Sequence, residues 1–72
     1  MYLVVKEWHG KETILAGRFK RDEAMKIAEQ AARKFQGFTE RIDVKQDRVD
    51  VVNRMTGIPE QSYVLRFLAN VA

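Results

Sequence analysis

Seventy-two residues make one small domain with one hydrophobic core. The chain has no cysteine and a single histidine, His9, which excludes disulfides, thiolate nucleophiles and every Cys-based or multi-His metal site. A composition of 46% hydrophobic and 32% charged residues is globular rather than disordered, and 13 basic against 10 acidic side chains leave a mild net charge of +3.

A domain of this size buries only ~60% of the surface its unfolded chain exposes. With no disulfide or Cys-based metal site to add stability, a partner is the remaining aid. The apolar run Tyr2-Leu3-Val4-Val5 is far too short to span a membrane. Lys6 and Glu7 interrupt it before a signal-peptide core can form, so a cytoplasmic location without membrane contact is expected. Residues 1–36 hold eight basic and five acidic side chains and residues 37–72 five of each, so the whole excess lies in the first half.

In chain order, residues 2–19 read as two strands around His9-Gly10-Lys11, with Tyr2-Leu3-Val4-Val5 and Thr13-Ile14-Leu15-Ala16 supplying β-formers. From Arg21 to Phe35, Ala24, Ile27, Ala28, Ala31 and Phe35 recur at helical spacing, with Met25 and Ala32 at the border of the stripe. Asp22 and Glu23 in the first turn and Arg33 and Lys34 in the last suit the helix dipole, and Gly37 is the expected left-handed cap. Ile42 and Val44 alternate with charge on even numbers, Val49 and Val51 on odd ones. A two-residue loop at Gln46-Asp47 reconciles the parities, pairing Val44 with Val49 and Ile42 with Val51 on one face, although it sets Lys45 opposite Arg48. A helix over residues 40–55 is the rival, disfavoured by its valines. In Ser62–Leu68, Tyr63, Leu65 and Phe67 share one face, and Val64 and Leu68 the other. The expected fold is α+β, β-β-α-β-β-β, with one helix on a small antiparallel sheet.

Catalytic chemistry finds little to work with. Ser62 is the one serine, Glu60 its near carboxylate, and His9 would have to arrive from the first hairpin. Ser62 reads as a turn residue and His9 as a solvated loop residue. Asp43, Asp47 and Asp50 lack the spacing of a cation loop and read as solvent-face charges. The four glycines are isolated rather than gathered in a phosphate-binding loop. A non-enzymatic chain without catalytic residues, cofactor or metal is expected.

Two binding surfaces follow. One helix covers one face of a sheet, yet apolar residues occupy adjacent strand positions, and adjacent residues point to opposite faces. Tyr2, Val4, Trp8, Leu15, Val52, Val64 and Leu68 are therefore the candidates for the face away from the helix, a contact surface for protein. A homodimer is the simplest partner, and the alternative cover is the chain's own tail, Leu68-Ala69-Asn70-Val71-Ala72. The second surface is a basic edge of Arg18, Lys20, Arg21, Lys26, Arg33 and Lys34, suited to nucleic-acid phosphates, with Trp8, Tyr2 and Tyr63 able to stack on bases. Asp22, Glu23 and Glu29, interleaved on the same helix, weigh against it.

The run Ala16-Gly17-Arg18-Phe19-Lys20-Arg21-Asp22-Glu23-Ala24, a strand ending in Gly-x-Phe and a helix opening on acids and alanine, resembles a layout common among short ββαββ proteins of bacteria and phages. These include uncharacterised domains, phage-encoded inhibitors and nucleic-acid-binding modules. The resemblance is compatible with a phage or mobile-element source.

Overall fold

The computed structural model describes residues 1–69. At the first chain reversal His9 and Gly10 take φ values of 50° and 75°. Two successive positive φ angles are the pattern of a type I′ turn, whose twist matches that of the flanking strands. It joins β1 (Tyr2–Trp8) to β2 (Lys11–Arg18), with Trp8 opposite Lys11. The register slips between Val4 and Val5: Val4 faces Ala16 and Val5 faces Ile14, so Leu15 is the extra residue of a β-bulge.

Helix α1 spans Arg21–Arg33 and buries Ala24, Ala28 and Ala32 completely. Their small side chains set the helix close against the sheet. The buried stripe thus runs through Ala32, expected at the border, while Ala31 is only half-buried. The helix also ends earlier than its apolar spacing suggests. The N–H groups of Phe35 and Gln36 turn back to the carbonyls of Ala32 and Arg33 in tightened turns. Gly37 has no positive φ and is not a left-handed cap; the glycines with positive φ are Gly10 and Gly57. Phe35 consequently leaves the buried stripe and is exposed.

Strands β3 (Glu40–Val44), β4 (Arg48–Asn53) and β5 (Pro59–Phe67) complete the sheet. Val44 pairs with Val49 and Ile42 with Val51, as the two-residue loop requires, and the rival helix over 40–55 is absent. All pairings are antiparallel, in the order β2-β1-β5-β4-β3. The protein is an α+β fold, one helix on a five-stranded antiparallel sheet. Its core is Val4, Val49, Val51, Tyr63 and Leu65 against the three buried alanines, flanked by Tyr2, Met25, Ile27, Ala31 and Ile42. Among the described residues, no helix is long and apolar enough to cross a membrane.

Candidate functional site

The β1–β5 register decides which residues face the helix. Tyr2 pairs with Phe67, Val4 with Leu65 and Lys6 with Tyr63, so the even-numbered side chains of β1 lie on the helix side. This corrects the expectation for three residues. Val4 is in the core and Tyr2 packs against it, its ring 5.1 Å edge-on from that of Phe67. Trp8 follows the same alternation, and the Lys6 ammonium lies 5.6 Å from its ring and 4.7 Å from that of Phe35 at the helix end. Val52 and Val64 do occupy the opposite face, together with Leu3 and Val5. Val52 is buried there and Val64 half-buried. Leu15, at the bulge, and Leu68, whose N–H bonds to the Met1 carbonyl, are exposed. The expected tail cover rests on Asn70, Val71 and Ala72, which lie outside the described residues.

One part of the face away from the helix is crossed by its own charges. Val5 is 1% exposed although no helix lies over it. Arg66 pairs with Leu3 and Glu12 with Glu7, the two same-face neighbours of Val5 along β1. The 2.7 Å ion pair from Arg66 to Glu12 therefore crosses the row that Val5 occupies. The guanidinium lowers the Glu12 pKa through its hydrogen bond and charge, and Glu12 in turn raises that of Arg66.

Beyond it lies a network that reading the sequence misses. Asp50, expected on a solvent face, is 1% exposed. Its carboxylate accepts from Ser62 Oγ at 2.7 Å, Arg48 Nε at 3.0 Å and Lys45 Nζ at 3.0 Å, and Arg48 extends to Glu7 at 3.7 Å. Burial pushes the Asp50 carboxyl upward, but these three donors outweigh it and hold its pKa below the usual value. The like-charged Lys45 and Arg48 of the hairpin thus share one carboxylate. That opposition was the available signal, since two cations brought together in a loop need an anion nearby.

Ser62 is accordingly a buried strand residue rather than a turn residue. Ser62 and His9 both border an open groove of about 600 Å³ between the β1–β2 turn and the start of β5. The Ser62 hydroxyl proton is directed at Asp50, a carboxylate whose lowered pKa makes it a weak base. The His9 ring lies 4.6 Å from that of Trp8, tilted at 52° to it. No group of three or more metal-ligating side chains gathers among the described residues.

Several exposed surfaces remain uncommitted. Every residue from Lys11 to Leu15 is exposed, and β2 is an edge strand whose outer backbone has no neighbour among the described residues. Ile14 is 64% and Leu15 43% exposed. The second surface is the turn into α1, where Arg18, Lys20 and Arg21 surround Phe19, itself 81% exposed. None of the six basic-edge residues has an ion pair within 4 Å among the described residues. Only Arg18, Lys20 and Arg21 are gathered together; Lys26, Arg33 and Lys34 are strung along α1 with Asp22, Glu23 and Glu29. Phe38 and Met55 are also exposed, each next in sequence to a residue of the backbone hydrogen bond from the Arg54 N–H to the Thr39 carbonyl. Compared with family models, with curated proteins and with solved structures, the chain matches none.

Proposed function

We propose that this protein is a non-enzymatic protein-binding module whose contact surface is the β2 edge with the adjoining apolar strip of Ile14, Leu15, Val64 and Leu68. The observation that supports this is the exposure of Lys11–Leu15 along an unpaired edge. An edge strand offers a row of free N–H and C=O groups to an incoming strand. Natural edges are blunted by shortness, charge or bulges. The other edge, β3, is five residues long and carries Arg41 and Asp43, whereas β2 has eight residues and an uncharged stretch from Thr13 to Gly17, interrupted by one bulge.

Selection of displayed peptides against the immobilised chain, followed by amide exchange on the complexes, tests the proposal. Protection concentrated at Lys11–Arg18 is expected. Protection confined to the outer face of α1, or to Phe38 and Met55, would overturn it.

A second reading, nucleic-acid binding, is favoured by one observation: Phe19 stands exposed among Arg18, Lys20 and Arg21. Stacking of an unpaired base on an aromatic ring flanked by cations is a common mode of single-strand binding.

A further inference from the structure

We infer that the occupant of the β2 edge is an extended segment of another protein carrying two acidic residues six positions apart around an uncharged stretch. This rests on the reading of β2 as the contact edge. Lys11 lies opposite Trp8 and Arg18 opposite Tyr2, so both cations stand on the helix side of the sheet. Neither has an ion pair within 4 Å among the described residues. The one carboxylate of β2, Glu12, is on the opposite face and held by Arg66. The edge therefore presents two unneutralised positive charges with Thr13–Gly17 between them.

The spacing follows from the bulge. On β2 the two cations are seven residues apart, but their partners on the unbulged β1, Trp8 and Tyr2, are six apart. A regular strand laid along the outer edge would likewise meet them with residues six apart. Six is even, so both side chains leave the same face. Opposite charges across a strand pair are favourable, and like charges are not.

The same geometry disfavours a second copy as the occupant. The bulge leaves Lys11, Thr13, Ala16 and Arg18 on the helix side and Glu12, Ile14 and Gly17 on the other. Two antiparallel copies paired over all eight residues set Lys11 opposite Arg18, and two-fold symmetry repeats that clash at the far end. A one-residue slip puts Glu12 against Ala16 or Arg18, whose side chains leave the opposite face. A two-residue slip in one direction sets Thr13 against Ile14, again across faces. In the other direction it shortens the pairing to six residues and brings Lys11 toward Lys20.

Fluorescence anisotropy with the full chain tests this, using a seven-residue peptide of alternating Thr and Val with Asp at both ends. Controls carry Lys at both ends, or uncharged Ser. The Asp peptide is expected to bind about tenfold more tightly than the Lys peptide, since two cross-strand attractions replace two repulsions. The exposed double variant Lys11→Glu with Arg18→Glu is expected to reverse that preference while its circular dichroism is unchanged. Equal affinity of the three peptides, with β2 amides protected in each complex, would overturn the acidic specificity and leave the edge reading intact. Protection of β2 that grows with protein concentration in the absence of peptide would make a second copy the occupant. No protection of β2 by any peptide would overturn both readings.

Discussion

The Ser62 hydroxyl donates a 2.7 Å hydrogen bond to the Asp50 carboxylate within the sheet face that carries no helix. Asp50 and Ser62 are directly opposite across β4 and β5, and Asp43 faces Asp50 from β3. Two aspartates on adjacent strands are tolerated because each has its own cation, Arg41 at 3.1 Å from Asp43 and Arg48 with Lys45 on Asp50. Asp50→Ala is expected to cost about 2 kcal/mol, below the range for a fully buried pair because Arg48 and Lys45 keep access to water. Ser62→Ala is expected to cost about 1 kcal/mol. Urea unfolding measures both; a loss below about 0.5 kcal/mol for Asp50→Ala, the size of an ordinary surface change, would show that the network contributes only local order.

The acid side of the stability curve is expected to carry the same signature. Asp50 has a lowered pKa in the folded protein, so the unfolded chain binds more protons in the window between the two values. Its contribution is complete well above the unfolded value of about 3.9 and is lost as pH falls through the folded value beneath it. Asp50→Asn removes this titration. The stability gap between the native chain and Asp50→Asn is therefore expected to narrow as pH falls from about 6 to 3. A gap independent of pH would mean that Asp50 titrates alike in both states.

Ala28 is fully buried at the middle of α1, while Lys26 points to solvent. Ala28→Lys both overpacks a close helix–sheet contact and buries an ammonium, so a loss of about 3 kcal/mol is expected. Lys26→Ala is expected to stay within about 0.5 kcal/mol. Similar denaturation midpoints for the two variants would contradict the packing of this helix face.

Where the sequence alternates cleanly, the structure was legible. The parity switch between Val44 and Val49 located the second hairpin and its register, because a one-residue slip would turn valines toward solvent. Tyr2-Leu3-Val4-Val5 has apolar residues at both parities, and nothing local says which pair meets the helix. That choice is made by pairing with β5, where Tyr63, Leu65 and Phe67 alternate with Ser62, Val64 and Arg66. Ile14-Leu15-Ala16 hides its bulge for the same reason, and with it the exposed edge. Asp50 was misplaced because its burial depends on three donors from separate positions, Lys45, Arg48 and Ser62, rather than on its own neighbours in the chain.

Salt separates the two binding readings and bears most directly on function. If the turn at Arg18-Phe19-Lys20-Arg21 takes nucleic acid, affinity for a single-stranded oligonucleotide must fall steeply with salt, since each neutralised phosphate releases counterions. Three phosphate contacts on a single strand give a slope of about −2 in log K against log salt. Phe19→Ala would then cost about 1 kcal/mol or more by removing the stacking surface, with the slope unchanged. The edge reading expects otherwise. Strand addition at β2 draws on backbone hydrogen bonds and on Ile14 and Leu15, with two flanking charges that salt screens weakly at contact distance. Peptide binding at β2 is therefore expected to change by only a few-fold between about 50 and 200 mM salt, and Phe19→Ala to leave it unaltered. Oligonucleotide binding with the steep slope, weakened by Phe19→Ala, would assign the contact to the basic turn. Ile14→Lys supplies the converse check, placing a charge on the edge strand where natural sheets use lysine to refuse partners. It is expected to abolish peptide binding while leaving the fold intact, because Ile14 is already 64% exposed.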